Sequence, residues 1–434
     1  MSQTHVNAGE PDVLVVGGGP AGSTAAAFLA KAGRNVVLLE KEAHPRFHIG
    51  ESLLPRNLDI FERLGVLEQV RAIGVHKPGA EFISDRTGRC CAFPFAQALN
   101  RDRTHAWQVK RAELDKILFD NAVACGADGR QLTKVVDIRP GGTSTRATVL
   151  ARNEAGETLE WRPRYVLDAS GRDTFMAARM KVKDSNKYNN TAAIYAHFKG
   201  AQRRPGETEG YISINLAEDG WFWLIPLRGD VMSVGFVGNQ AAWKNRKGTP
   251  KEMFLERIAT SPMVSARMVG AEMISEVFST ANYSYRARQG YGEGFLMIGD
   301  AYGFVDPMFS TGVLMAMTAG ELGAETADVW LDDPVRGQKL AARTNKELAR
   351  AMDRISWLIY HVNDPVMRSL FMAPHNTLWM RDGIINLLAG NLRSNLRSLV
   401  PVLSFKALFH ILSALHRRGW GPEMPEKAPE PSRA

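Results

Sequence analysis

The chain begins with two short apolar runs separated by an alanine-rich segment. Residues 12–16 and 35–39 are almost wholly hydrophobic, which is the pattern of strands buried on both faces of a sheet. The alanine-rich segment runs to Ala32 and is followed by Gly33, a residue type that commonly ends helices. A strand, a helix and a strand in this order predict a βαβ unit with parallel strands. Residues 12–16 are predicted to be the first ordered element.

Other patterns follow along the chain. Residues 165–168 and 295–299 are again apolar runs and predict more strands of the same sheet. Residues from about 185 to 285 alternate with a period of two, which predicts a second, mainly antiparallel sheet. Beyond Pro334 the hydrophobic period is helical. The predicted breaks in this helical region are Pro365, Pro374 and Pro401.

A glycine-rich sequence joins the first predicted strand to the helix. Gly17, Gly19 and Gly22 form a G-x-G-x-x-G pattern, and Glu40 ends the next strand 18 residues after Gly22. The glycines permit a tight turn, the helix N-terminus faces a pyrophosphate, and the carboxylate accepts ribose hydroxyls. The pattern predicts a dinucleotide site, since a glycine-rich turn without a ligand leaves Glu40 unexplained.

A second acidic residue favours FAD over a nicotinamide dinucleotide. Asp300 follows the predicted strand at residues 295–299, where it can bind the ribityl hydroxyls of a flavin; the alternative for Asp300 alone is a helix N-cap. Together with the segment at residues 168–171, these motifs resemble the glutathione-reductase-type flavoproteins over about the first 330 residues. The resemblance implies an α/β fold with a Rossmann FAD domain.

The hydrophobic patterns, together with this resemblance over the first 330 residues, predict a domain organisation. We expect a discontinuous FAD-binding domain, an antiparallel β-sheet substrate domain, a C-terminal helical region and a disordered tail rich in proline and charge. The FAD-binding domain is predicted to comprise residues 1–79, 106–184 and 286–333, and the substrate domain residues 80–105 and 185–285. The helical region is residues 334–418, and the tail is residues 419–434.

Four further segments resemble the flavin-dependent halogenases, and related aromatic hydroxylases share the flavin motifs without them. The segments are residues 46–55 (RFHIGESLLP), Lys77 within residues 75–78, the W-x-W-x-I-P motif at residues 221–226, and residues 304–312. The resemblance implies non-covalently bound FAD, used as FADH2, together with O2 and chloride or bromide. It implies a role in secondary-metabolite biosynthesis, with hypohalous acid relayed onto an electron-rich arene.

The resemblance implies a role for each matching residue. Lys77 is the expected catalytic residue, either as an ammonium that binds hypohalous acid or as an amine that becomes a haloamine. Thr311 and Gly312 are the expected halide site. The expected cofactor contacts are Gly17, Gly19, Ala21, Gly22, Glu40, Arg111, Asp300, Gly312 and Val313. The expected partition between flavin and substrate is formed by Trp221, Trp223, Ile225, Pro226, Pro307, Phe309 and Ser310.

From spacing alone, these residues also have simpler interpretations. An isolated lysine such as Lys77 is usually a solvated surface charge. Trp221 and Trp223, two apart on a strand, could be an ordinary core stripe. Thr311 and Gly312 could simply begin a helix.

Two departures from the family pattern narrow the expectation. Tryptophan halogenases carry a glutamate, which receives the ring proton, at the position of Phe309. A phenol or pyrrole activates its own ring, so this chain is more similar to the phenol and pyrrole branch than to enzymes of free tryptophan. Some members attach the flavin through an aspartate at the position of Asn282, so we expect a dissociable FAD.

Charge adds a prediction about partners. The chain has 54 basic and 46 acidic residues, and 13 of the basic but only four of the acidic residues lie between Arg336 and Arg418. The remainder is close to neutral, which argues against a nucleic-acid binder. The basic region is a solvated surface, a docking site for an acidic acyl or peptidyl carrier protein that delivers the arene, or, as the least expected case, a membrane contact. Arg393 and Arg397, and Arg350 and Arg354, share helix faces there.

Composition excludes several classes of protein. The chain is 45% hydrophobic and 23% charged over 434 residues, as in globular proteins. Cys90, Cys91 and Cys125 fit neither a disulfide framework nor a zinc site, which favours a cytoplasmic location. There is no secretory signal pattern and no apolar run that would span a bilayer.

The sequence leaves alternatives to halogenation open. An aromatic monooxygenase or a reductase of isoprenoids or other lipids could have the same fold, and a flavin-binding protein without chemistry is a further possibility. Because a second dinucleotide fingerprint is absent from the sequence, we expect a separate NAD(P)H-dependent flavin reductase to supply FADH2.

Overall fold

The structure is a computed structural model. It describes residues 6–185, 191–238, 243, 248–281, 284–361, 364–372, 380–391 and 396–418. Asn282, Pro374, Arg393 and the predicted tail at residues 419–434 lie outside these described residues.

The strands and helices are numbered separately in chain order. The strands are β1 (Val6–Gly9), β2 (Val13–Val16), β3 (Val36–Leu39), β4 (Val75–Lys77), β5 (Gly79–Ser84), β6 (Cys90–Pro94), β7 (Ala106–Gln108), β8 (Asp128–Arg130), β9 (Lys134–Arg139), β10 (Thr148–Arg152), β11 (Thr158–Trp161), β12 (Tyr165–Asp168), β13 (Lys183–Ser185), β14 (Ala192–Lys199), β15 (Ile212–Leu216), β16 (Gly220–Leu227), β17 (Val231–Gly238), β18 (Glu272–Met273), β19 (Phe278–Ala281), β20 (Tyr285–Ala287), β21 (Tyr291–Gly292), β22 (Phe295–Met297) and β23 (Gly303–Phe304). The α-helices are α1 (Pro20–Lys31), α2 (Asn57–Leu64), α3 (Leu67–Ile73), α4 (Arg111–Ala124), α5 (Phe175–Arg179), α6 (Pro250–Thr260), α7 (Pro262–Ser265), α8 (Gly312–Asp332), α9 (Pro334–His361), α10 (Pro365–Met372), α11 (Met380–Leu388) and α12 (Leu396–Arg417).

The first sheet contains the predicted βαβ unit. Its strands lie in the order β21-β22-β12-β2-β3-β8, all parallel except β21. Every residue of β2, β3 and β12 is buried, because helices cover the sheet as they do in other parallel sheets. The carboxyl ends of β2, β12 and β22 meet at one edge, so they bring Gly17, Asp168 and Asp300 toward the same side.

The second sheet is mainly antiparallel, as the period of two predicts. Its main path is β18-β14-β17-β16-β15-β5-β6, and only β15 and β5 pair in parallel. All eight residues of β16 are buried. The reason is that both faces are covered: Phe222 and Leu224 pack into a core with Phe254, while Trp221 and Trp223 face the other way.

The prediction that residues 12–16 are the first ordered element is wrong. Strand β1 precedes them and pairs in parallel with β11, at the edge of a further sheet with the order β1-β11-β10-β9. The β1 residues are partly exposed and have no apolar alternation. Their strand conformation depends on hydrogen bonding to β11, about 150 residues away, which a local pattern does not report.

The C-terminal region is helical, as predicted. Helix α9 packs along α8, and Pro365 begins α10, a position where its missing N–H is tolerated. Pro401, however, does not break a helix. It lies inside α12, near its beginning, and is buried against Gly383, where a Cβ would come within 2.6 Å of it. In the part of the chain that the structure describes, every helix is too short or too polar to cross a membrane.

Candidate active site

A large cavity lies between the two sheets. Its volume is about 800 Å³, and it runs from the carboxyl edge of the first sheet to the inner face of the second. The predicted residues that line it are Gly17, Gly19, Ala21, Glu40, Arg111, Trp221, Trp223, Ile225, Asp300, Ser310, Gly312 and Val313. The predicted residues outside its lining are Gly22, Lys77, Pro226, Pro307, Phe309 and Thr311.

The glycine-rich turn is held by close backbone contacts. Gly17 has a φ of +100°, and a Cβ there would lie 2.3 Å from the Ala169 carbonyl oxygen. A Cβ on Gly22 would lie 1.9 Å from the Gly17 oxygen. At Gly19, in contrast, a Cβ would meet only Arg46 Nη2, 3.8 Å away, on the cavity wall. The backbone at Gly19 and the N-terminus of α1 therefore form an open cradle that fits a pyrophosphate.

Glu40 is buried at the end of β3. Its Oε2 accepts hydrogen bonds from the Gly18 amide (2.8 Å) and from Arg46 Nη2 (3.3 Å), and its Oε1 accepts one from the Glu42 amide (3.0 Å). These donors fix the carboxylate on the cavity lining, next to the glycine turn, where a ribose hydroxyl can reach it.

Arg111 begins α4 and ties this helix to the loop at residues 46–55. Its Nε and Nη2 donate to the two carboxylate oxygens of Asp115 at 2.8 and 2.9 Å, and its Nη1 donates to the Ile49 carbonyl at 2.7 Å. Burial raises the pKa of Asp115, but the Arg111 guanidinium outweighs it and holds that pKa below its usual value. Burial also raises the pKa of Asp300, across the cavity, to about 6. A polar, hydroxyl-bearing ligand would supply the partners that Asp300 loses on burial.

The two tryptophans of β16 form one wall of the cavity. Their ring centroids are 5.9 Å apart, and Trp223 Nε1 donates to Ser233 Oγ at 3.2 Å. Trp223 lies across Gly235 of the neighbouring strand, where a Cβ would come within 2.2 Å of the indole ring. The tryptophans are buried, as a core stripe would be, but they border a cavity rather than a filled core.

Lys77 is not a surface lysine. It ends β4, which pairs with β7, and only 1% of its surface is exposed. Its Nζ donates to the Leu53 carbonyl at 2.8 Å and lies 5.3 Å from the centre of the Phe95 ring. Burial lowers the pKa of Lys77 to about 7, so neutral amine and ammonium are both populated near neutral pH.

A buried aromatic cluster lies at strands β5 and β6, just before Phe95 in the chain. Phe82 of β5 and Phe93 of β6 belong to it. Phe309 contacts Phe82 and Phe371, with ring centroids 6.1 and 6.2 Å apart, and Phe371 also contacts Phe93 at 5.6 Å. Phe371 comes from α10, so the C-terminal region contributes a ring to this buried cluster. Sequence reasoning assigned no role to Phe371, because its neighbours Phe82 and Phe93 lie more than 270 residues before it in the chain.

The segment at residues 304–312 surrounds a second, much smaller cavity. Its volume is about 20 Å³, room for one water molecule or monatomic ion, and its lining includes Asp300, Thr311 and Gly312. Thr311 is buried and precedes the first turn of α8, and Ser310 before it has a φ of +57°. Pro307 begins the single 3-10 turn Pro307–Phe309 in front of it. The beginning of α8, where backbone amides have no partner within the helix, therefore borders a space of ionic size.

One buried pair was missed by sequence reasoning. Glu51 lies on the cavity lining with 1% of its surface exposed, and its Oε1 lies 2.9 Å from His197 Nε2 on β14. Glu51 belongs to the G-E-S turn of the halogenase-like segment, but its position in the motif did not indicate a partner on the second sheet.

Comparison with known proteins identifies the family to which the chain belongs. A family model for the FAD binding domain matches residues 10–322. The chain is 35% identical to a tryptophan 2-halogenase of Chondromyces crocatus over 72% of its own length, and spans 60% of that relative. It is 30% identical to a 1H-pyrrole-2-carbonyl-[peptidyl-carrier protein] brominase of Pseudoalteromonas luteoviolacea, over 87% of this chain and 91% of the relative. The chain belongs to the flavin-dependent halogenase family.

A solved structure supports the same family assignment. The structure of a flavin-dependent brominase matches with a TM-score of 0.80 and 27% identity, and the match covers 94% of this chain and all of that one. The match therefore includes the C-terminal helices as well as the FAD domain.

Two glycine substitutions should separate flavin binding from folding in this halogenase-family chain. Gly19→Ala adds a methyl group that meets no protein atom closely but occupies the cradle, so we expect FAD affinity to fall by about tenfold or more while the apoprotein melts at an unchanged temperature. Gly22→Ala should instead lower the melting temperature of the apoprotein. FAD titration by fluorescence and thermal melting measure both; unchanged FAD affinity in Gly19→Ala would contradict the assigned cradle.

Proposed function

We propose that this chain is an FADH2-dependent halogenase that transfers chloride- or bromide-derived halogen to an electron-rich arene, a phenol or a pyrrole. The observation that carries the proposal is Lys77: a buried lysine with a pKa near 7 that lies over the Phe95 ring, outside the lining of the cavity that contains the glycine cradle. Membership of the halogenase family and the small cavity at Thr311 support it.

The residues present fit FAD. The cradle at Gly19 receives the pyrophosphate, Glu40 the ribose, and Asp300 with Arg111 the flavin end of the cavity. When bound and reduced, the flavin supplies the chemistry that converts O2 and halide into hypohalous acid. The amides at Thr311 and Gly312 hold the halide, and Trp221 and Trp223 keep the organic substrate away from the flavin.

Lys77 acts as the halogen carrier in this proposal. Its neutral amine attacks the halogen of hypohalous acid, so that an N–X bond forms while the O–X bond breaks and water leaves. The halogen then passes to a ring carbon as the N–X bond breaks, and the ring proton returns to the amine nitrogen. The Leu53 carbonyl, 2.8 Å from Nζ, fixes the amine during both steps.

Phe309 supports a phenol or pyrrole as the substrate. It packs between Phe82 and Phe371 and offers no carboxylate for a ring proton, so the substrate must lose that proton easily. One relative is named for pyrrole-2-carbonyl groups on a peptidyl carrier protein and another for tryptophan. We favour the former kind of substrate, free or carrier-bound, with a separate flavin reductase as the source of FADH2.

A direct assay tests the proposed function. The protein is incubated with FAD, an NAD(P)H-dependent flavin reductase, bromide or chloride, and free and carrier-bound phenols and pyrroles, and the products are read by mass spectrometry. We expect a halogenated arene that requires both halide and FADH2. A hydroxylated product that forms without halide would overturn the proposal in favour of an aromatic monooxygenase.

The pKa of Lys77 makes a prediction about pH. Since the neutral amine is the reactive form, the rate of halogenation should rise with pH through about 7 and level off above it. Bromide is the better halide for this measurement, because hypobromous acid is a weaker acid than hypochlorous acid and stays protonated over this range. Oxidation of FADH2, measured alongside, serves as the control. A rate that falls as pH rises through 7 would indicate that the ammonium is the working form.

A further inference from the structure

The outer face of α9 carries a row of five basic residues, with one exposed acidic residue, Glu347, on the same face. The members of the row are Arg336, Lys339, Arg343, Lys346 and Arg350, all exposed. They are spaced by three and four residues in alternation, so they lie on one side of the helix over about 21 Å. Among the residues that the structure describes, none of the five has a carboxylate within 4 Å of its charged group. We call this row the α9 basic row.

Several basic side chains elsewhere on the surface are paired with carboxylates. Arg34 contacts Asp328 at 2.6 Å and Asp332 at 2.9 Å, and Arg103 contacts both Asp59 and Glu62. Five like charges on one helix face repel one another, which costs stability unless an outside partner compensates them. The row therefore has the charge pattern of a surface that binds an acidic partner.

The opposite face of the same helix reaches the candidate active site. Leu348 and Met352 are buried and line the small cavity that also contains Thr311 and Gly312. The C-terminal end of the α9 basic row is therefore about one helix diameter, roughly 10 Å, from that cavity. A partner seated on this end of the row would lie close to the proposed halide site.

We propose that the α9 basic row docks the acidic helical surface of an acyl or peptidyl carrier domain that presents the arene. The inference rests on the proposed function and gives it a partner surface. A straight row of point charges fits a rod-like acidic helix and would steer its approach. The middle of the row has no exposed large apolar residue, since Val335 and Tyr360 lie near the ends of α9, and membrane-binding helices need such anchors.

Charge reversal at both ends of the row tests the proposal. The variants are Lys346→Glu/Arg350→Glu and Arg336→Glu/Lys339→Glu, and the matched control is Arg152→Glu/Arg228→Glu, which changes the net charge equally at exposed positions of β10 and of the β16–β17 turn. Binding of a fluorescently labelled carrier domain loaded with a pyrrole-2-carbonyl group is measured by anisotropy at low and high salt. Circular dichroism checks the fold of each variant.

We expect each row variant to weaken carrier binding by about tenfold or more at low salt, and the control by less than about twofold. Halogenation of a free pyrrole should be unchanged in all variants, whereas KM for the carrier-bound pyrrole should rise. The proposal is overturned if the wild-type protein does not bind the carrier, or if both row variants bind it as tightly as the wild type. A protein that binds the carrier through the row but halogenates nothing would overturn the proposed function and leave the docking surface in place.

Discussion

Replacing Lys77 with alanine should abolish the halogenated product, with a loss of about a thousandfold or more, while FADH2 is still oxidised by O2. Lys77 has no role in the cradle at Gly19, so the variant should bind FAD as tightly as the wild type. Without the amine, hypohalous acid has no acceptor at this position and decays or escapes. Mass spectrometry of the arene, together with measurement of NADH consumption, checks both halves of this expectation.

The matched control for this variant is Lys183→Ala. Lys183 also lies over an aromatic ring, with Nζ 4.0 Å from the centre of Tyr285, but it is outside the lining of the cavity. We expect its halogenation rate to stay within about twofold of the wild type. Product formation by Lys77→Ala at the wild-type rate would remove Lys77 from the mechanism and with it the observation on which the proposed function rests.

Local signals were sufficient for much of the fold. The βαβ unit, the glycine turn and the second sheet could be predicted because strand period, helix period and turn chemistry are properties of neighbouring residues. Glu40 and Asp300 could be placed at one edge of a sheet because parallel strands end on the same side. Strand β1 could not be predicted, since only its pairing with β11 makes it a strand.

Contacts between distant segments account for what the sequence did not reveal. The burial of Lys77 depends on Leu53, which accepts its hydrogen bond, and on Phe95, and nothing in its neighbours along the chain distinguishes it from a surface lysine. The pairing of Glu51 with His197 joins the loop at residues 46–55 to the second sheet. Pro401 shows the reverse error: its local effect was overestimated, because packing against Gly383 stabilises the helix that contains it.

The burial of Lys77 should also be visible in stability. A lysine in the unfolded chain has a pKa of about 10.5, but in the folded protein burial lowers the pKa of Lys77 to about 7. Between these values the unfolded state binds a proton that the folded state does not, so Lys77 makes the free energy of unfolding increase as pH rises from about 7 to 10.5. Below pH 7 the destabilisation is fully present, and above 10.5 it is absent.

Lys77→Met should therefore yield an inactive but more stable protein. Methionine fills similar space without a charge, and the expected gain at pH 7 is about 3 kcal/mol, after allowance for the Leu53 carbonyl that loses its donor. Chemical denaturation from pH 6 to 10 measures it, with Lys251→Met, at an exposed position of α6, as the control that should change little. The gain should shrink steadily above pH 7. A gain that is constant over this range would mean that Lys77 titrates alike in both states, whereas a shrinking gain would show that the reactive amine is maintained at a cost in stability.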